Sequence, residues 1–194
     1  VLGLAVCSLV NQNHYANATD QTEAAKDVSA EPSSASKRRS ELLKVGDLAP
    51  DFLLPGSAGE HGGSNVSLAS FKSKKKVVLY FYPKDNTPGC TKEAQEFQNA
   101  LAEIRSLGAE VVGVSVDDLA SHQGFAKKHK LEFPLLADSG GSIAAQYGVM
   151  GWIMAKRVTY IIGLDGKVEK VFADVDTSKH AREVLGILKA MAKN

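Results

Sequence analysis

The 194-residue chain has only two cysteines, Cys7 and Cys90. Two thiols cannot build a disulfide-stapled scaffold, and they exclude a four-cysteine zinc site. Nor do they form Cys-x-x-Cys, so a dithiol oxidoreductase is not expected. Long apolar runs are missing too: the longest, Val1–Val10, is too short to span a bilayer. Charge of one sign is not in excess. The 23 basic and 22 acidic residues leave a net charge of +1, which gives no electrostatic reason to expect nucleic acid or an anionic membrane as partner. There is no internal repeat. Gly59, Gly62 and Gly63 lie in the stretch Gly56–Asn65, but the lysine-bearing phosphate loop and the dinucleotide fingerprint are absent. That stretch reads as a flexible loop ahead of Val66, where a strand or turn begins. His14, His61, His122, His129 and His180 show no paired metal-ligand spacing, so each reads as a surface residue, and no metal or other cofactor is expected.

What is present is the balance of an ordinary globular protein, 44% hydrophobic and 23% charged. The chain begins at Val1 rather than Met. Val1–Val10, the polar stretch after it and the small-x-small pattern Ala16-Asn17-Ala18 read as the end of a signal or targeting segment over residues 1–18. The expected destination is the periplasm or the exterior, with an organelle such as a plastid as the alternative. Residues 19–41 have one large aliphatic, Val28, and no aromatic. They cannot bury enough surface to offset their ordering entropy and read as a linker. The folded domain is expected over 42–194, about 150 residues, enough for a real core.

Within that domain, Lys76–Tyr82 and Glu110–Val116 read as buried strands. Between them, Ala94, Phe97, Leu101, Ile104 and Leu107 recur at helical spacing, and Gly108 stands where a helix would stop. Leu119–Lys130 reads as an amphipathic helix that Asp117-Asp118 would cap. A short strand is expected at Leu135–Ala137 and a short helix at Ser142–Tyr147. Arg157–Ile162 and Lys167–Phe172 read as a hairpin turned at Asp165-Gly166, and Ser178–Ala192 as a closing helix. Strands alternating with helices, then a hairpin, imply an α/β domain: a central mixed β-sheet flanked by helices. That order fits a thioredoxin-like fold.

The stretch Pro83-Lys84-Asp85-Asn86-Thr87-Pro88-Gly89-Cys90 joins the first of these strands to the longest helix. Thr87 then Pro88 is a helix start, a cap residue followed by proline at the first helical position. Cys90 falls in the first turn, where unpaired backbone N–H groups and the positive helix end favour a thiolate, the nucleophilic form. Ionisation alone is not enough. Turning an ordinary thiol wholly into thiolate gains roughly thirtyfold, or about 2 kcal/mol. A fast thiol enzyme therefore needs further groups that stabilise charge at the reacting atoms. The competing reading is an inert, buried core cysteine.

Pro83, Thr87 and Cys90 match the peroxiredoxin pattern of Pro, three residues, Thr or Ser, two residues, Cys. The run from Tyr82 through Ala94 resembles the peroxiredoxin Q branch, also called bacterioferritin comigratory protein. The likeness extends from Val45-Gly46-Asp47-Leu48-Ala49-Pro50-Asp51-Phe52 through Val112-Gly113-Val114-Ser115 and Arg157-Val158-Thr159-Tyr160-Ile161-Ile162 to the C-terminal helix. It implies reduction of hydrogen peroxide or an organic hydroperoxide. Cys90 would be the peroxidatic cysteine. The Thr87 hydroxyl would hydrogen-bond the thiolate and the peroxide. Arg157 would stabilise the thiolate and the leaving oxygen. Pro83 would shield the pocket, and Gly89 would border the bound peroxide. A monomer is expected.

Departures from that branch shape the expected cycle. Many members carry a resolving cysteine five residues after the first, and here that position is Gln95. No cysteine follows Cys90, and cleavage after Ala18 would remove Cys7. A one-cysteine cycle is expected, closed by an external thiol: thioredoxin, glutaredoxin or a small thiol. If Cys7 is kept, it could resolve instead. The stretch Val149–Lys156 looks short, and Trp152, Ile153 and Met154 suggest an apolar pocket wall. Two other readings compete: a thioredoxin-fold binding or chaperone module with little turnover, which the missing resolver favours, and a disulfide reductase, which the missing second thiol disfavours.

Overall fold

Side chains alternate between the two faces of a strand, and in β3 (Lys76–Phe81) both faces are apolar. Val77, Leu79 and Phe81 enter one buried cluster, Val78 and Tyr80 the other. A strand with two apolar faces belongs in the middle of a covered sheet, and β3 is the central strand of five. The computed structural model describes residues 41–57 and 64–193. The expected targeting segment, most of the expected linker, Cys7, His14, His61 and the glycines 59, 62 and 63 lie outside these residues.

The sheet runs β5 (Leu135–Ala137), β4 (Ala109–Ser115), β3, β6 (Val158–Ile162), β7 (Val168–Phe172). The pairs β3–β4 and β4–β5 are parallel, while β3–β6 and β6–β7 are antiparallel. The mixed sheet thus has the composition expected. A two-stranded ribbon, β1 (Leu53–Pro55) against β2 (Asn65–Ser67), precedes it, with Val66 inside β2. Gly113 of β4 sits where a Cβ would stand 2.8 Å from the Tyr80 ring and 2.7 Å from Leu135, so only glycine fits.

Helices α1 (Pro88–Ser106), α2 (Leu119–His129) and α4 (His180–Met191) share one face of the sheet, and α3 (Ser142–Gln146) lies on the other. In α1 the buried stripe is Cys90, Ala94, Phe97, Leu101 and Ile104. Burying Phe97 alone contributes roughly 2–3 kcal/mol. The helix stops before Gly108, whose φ of +73° is the left-handed conformation glycine adopts without penalty. Asp118 caps α2, its carboxylate accepting from the Ser121 amide at 2.8 Å. Asp165-Gly166 turns the β6–β7 hairpin, with Gly166 at φ +82°.

Two expectations fail. His122 and His180 are not surface residues; both are fully buried. Each sits on the apolar face of its helix, His122 three residues before buried Phe125 and His180 beside buried Ala181. His129 is half-buried against the Phe125 ring. Trp152, Ile153 and Met154 do not form a buried wall. They project from a tight turn closed by a Met150–Ala155 bridge and are exposed.

Candidate active site

Proline at the first helical position starts α1, and Thr87 precedes it with an extended backbone, φ −81° and ψ 149°. Cys90 is the third residue of the helix, so it lies in the turn whose amides have no intrahelical partner. Its side chain is only 2% exposed. The Thr87 hydroxyl makes no cap bond. It donates to the Lys84 carbonyl at 3.0 Å and not to the Cys90 sulfur as expected, because its one proton is used within the turn; its lone pairs remain to accept. Pro83 is half-buried at the start of that turn.

Register brings Arg157 to the same end of the sheet. Val158 pairs with Phe81, so the residue before β6 faces the turn that follows β3. Arg157 Nη2 donates to Cys90 Sγ at 3.2 Å. Gly89 borders the same guanidinium: a Cβ there would stand 3.6 Å from Nη2. The other arm, Nη1, donates to Glu93 Oε2. Glu93 is one helical turn beyond Cys90 on the same face, and it is fully buried. Burial pushes its carboxyl up to about 7, and the charge and hydrogen bond of Arg157 pull it back only in part. Its second oxygen, Oε1, has no hydrogen-bond partner. Burial disfavours the Arg157 cation, but Glu93 and Cys90 outweigh that and raise its pKa further.

The site is therefore a buried sulfur at a helix start, with a fixed cation 3.2 Å away. Such a sulfur attacks small electrophiles, and the guanidinium stabilises negative charge on the nucleophile and on an anionic leaving group. Residues 45–171 match the AhpC/TSA family. The chain is 40% identical over 165 residues to the chloroplastic peroxiredoxin Q of Gentiana triflora, covering 82% of this chain and 74% of the relative.

The chain belongs to the AhpC/TSA family of peroxiredoxins.

It is likewise 40% identical to peroxiredoxin Bcp of Escherichia coli K12, over 77% of this chain and 98% of that one. Among solved structures, the Xanthomonas campestris bacterioferritin comigratory protein, whose alkyl peroxide reduction was studied in trapped complexes, superposes with a TM-score of 0.70. It is 32% identical, over 77% of this chain and 98% of that chain. The fold of this peroxiredoxin is thioredoxin-like, and its relatives place it in the Q/Bcp branch as a thiol-dependent peroxidase. Peroxide and a thiol reductant are its reactants.

Among the sequence candidates, the structure gathers Cys90, Gly89 and Arg157 within contact, and keeps Thr87 and Pro83 on the adjoining turn. Glu93 was missed. The signal was present, because Glu93 lies four residues before Phe97 on the buried stripe of α1. Among the described residues no helix is long and apolar enough to cross a membrane.

Proposed function

We propose that Cys90 is the peroxidatic cysteine and works in a one-cysteine cycle. Its thiolate attacks one oxygen of the peroxide. The S–O bond forms, the O–O bond breaks, and the electron pair leaves on the distal oxygen, which takes a proton to become water or alcohol. Sulfur ends as a sulfenic acid. An external thiolate then attacks that sulfur, expelling hydroxide that is protonated to water. A second thiol resolves the mixed disulfide and returns Cys90 to its reduced form.

Arg157 supplies what a helix start alone cannot, a preorganised charge at the sulfur and at the leaving oxygen. The contact of Nη2 with Sγ at 3.2 Å is the observation that carries the reading. Glu93 holds the far side of the guanidinium. Thr87, with its proton bound to Lys84, presents a lone pair to a peroxide O–H. Pro83 and Gly89 border the entrance.

The one-cysteine cycle rests on position 95. Gln95 is exposed on α1 and hydrogen-bonds His129, and Cys90 is the one cysteine among the described residues. The external donor is thioredoxin, glutaredoxin or a small thiol. Organic hydroperoxides join hydrogen peroxide as substrates, by likeness to the Xanthomonas protein. A plastid-type organelle is the favoured compartment, because the Gentiana relative is chloroplastic. The working form is a monomer. The remaining boundaries follow: a targeting segment over 1–18, a linker over 19–41 and the catalytic domain over 42–194.

The test is intact mass after one equivalent of hydrogen peroxide, with and without a sulfenic-acid trap. One trappable oxygen in the native chain, absent in Cys90→Ser, is the expected result. No gain of mass on the fast timescale would remove the peroxidatic role from Cys90.

A further inference from the structure

Behind the turn that leads to Cys90 lies a buried polar cluster that the chemistry above does not use. Asp85 is 5% exposed and His122 is fully buried. Asp85 Oδ1 accepts from the Tyr82 hydroxyl at 2.7 Å. Oδ2 accepts from the Ser121 hydroxyl at 2.7 Å and from His122 Nδ1 at 2.8 Å. The Asp85 amide donates to Asp117 Oδ2 at 2.9 Å, which also accepts from the Ser115 hydroxyl. His122 Nε2 lies 3.2 Å from the Leu136 carbonyl. Nδ1 also lies 3.3 Å from the Tyr82 hydroxyl, so both ring nitrogens have hydrogen-bond partners within the cluster. Burial raises the Asp85 carboxyl, but the hydrogen bond and charge of His122, then Tyr82 and Ser121, outweigh it and hold Asp85 below its usual range.

The Asp85 carboxylate thus ties the end of β3 to the start of α2, its amide reaches the end of β4 through Asp117, and His122 extends the cluster to β5. The chain from Asp85 to Cys90 has little freedom. Asn86 has a left-handed backbone, φ +59°, and its side chain accepts from Lys128 at 3.4 Å. Pro88 then fixes the next φ. Wherever Asp85 is held, the first turn of α1 is held with it.

That turn faces two opposed demands. Peroxide attack needs the closed form, where Arg157 touches Sγ. A thiol much larger than peroxide cannot reach a sulfur that is 2% exposed, so reduction needs the turn to open. We propose that Asp85 and His122 are positioning residues that form a hydrogen-bonded latch, setting how often the Cys90 turn opens. The proposal rests on the reading of Cys90 as the reacting thiol. Loosening the latch shifts the population toward the open form, slowing the first half-reaction and speeding access to the sulfur.

Two rates test this in the full chain, each read at the Cys90 peptide by mass spectrometry. One is oxidation by hydrogen peroxide. The other is alkylation by a bulky maleimide without peroxide. Asp85→Asn and His122→Phe are expected to speed alkylation by about tenfold and to slow oxidation by less, because a hydrogen bond to a carboxylate is lost while the closed form stays the larger population. His122→Gln keeps a donor and should recover part of both changes. Leu188→Ala weakens the core on α4 and should leave both rates near those of the native chain, which separates the latch from general destabilisation. If Asp85→Asn does not fold, Ser121→Ala removes one bond to the same oxygen and should shift both rates in the same directions, by less. Unchanged alkylation in the latch variants overturns the proposal, as does a Leu188→Ala effect of equal size. Should the native chain fail to oxidise, the peroxidase reading of Cys90 falls, while alkylation still decides the latch.

Discussion

Arg157 and Glu93 form an ion pair in which the carboxylate is fully buried and the guanidinium is still free to reach Cys90 with its other arm. The two arms do different work. Nη1 is anchored, and that anchoring fixes the direction of Nη2. A cation preorganised in this way needs no reorientation when charge develops at the sulfur.

Lysine cannot copy that arrangement. It carries a single point charge on a flexible stem, so it cannot bond Glu93 and the sulfur in fixed directions at once. Arg157→Lys should keep the fold and lose roughly 10²-fold or more in the second-order rate with peroxide, the scale seen when one charge-stabilising donor is removed. Stopped-flow measurement of Cys90 oxidation checks this. A rate within threefold of the native chain would mean that a positive charge anywhere nearby suffices, by the tenfold-per-1.4-kcal/mol scale of such effects.

The local patterns that decide the fold were legible in one dimension. Thr87-Pro88 marks the start of α1, Gly108 its end, and the apolar runs at Lys76–Phe81 and Ala109–Ser115 are the parallel pair β3 and β4. Cys90 and Arg157 came from motif and resemblance. The partners of buried polar groups were not legible. Glu93 finds its counter-charge 64 residues away, and His122 finds Asp85 37 residues away. Those distances close only when the sheet forms. Paired metal spacing bears no relation to a single polar residue on an apolar helix face, which is where His122 and His180 both lie.

Gln95 offers a gain-of-function check on the one-cysteine cycle. It is exposed on α1, five residues beyond Cys90. Residues so spaced on an intact helix lie more than about 7 Å apart, too far for a disulfide without unwinding. Gln95→Cys should nonetheless convert the sulfenic acid into an internal disulfide if the first turn opens as proposed. Intact mass after one equivalent of peroxide should then show loss of two hydrogens instead of one trappable oxygen. Persistence of the trappable oxygen in Gln95→Cys would mean that the turn stays wound after oxidation.

Glu93 and His180 should pull the pH dependence of stability in opposite directions. Burial raises the Glu93 carboxyl to about 7, against an ordinary 4.5. Between those values the folded chain holds a proton that the unfolded chain has lost, so this contribution is complete below 4.5 and is lost as pH rises through 7. For His180, burial and then Arg157 lower the imidazole to about 4, against an ordinary 6.5. There the unfolded chain holds the extra proton. The contribution is complete above 6.5 and is lost as pH falls through 4. Each is worth at most about 3 kcal/mol. Over the shared interval the slopes nearly cancel, which hides both in the native chain. Single variants unmask them. In urea denaturation, Glu93→Gln should leave a stability that climbs from pH 4 to 6.5, and His180→Asn one that declines from pH 4.5 to 7. Parallel profiles for the two variants and the native chain would show that neither group changes its proton affinity on folding.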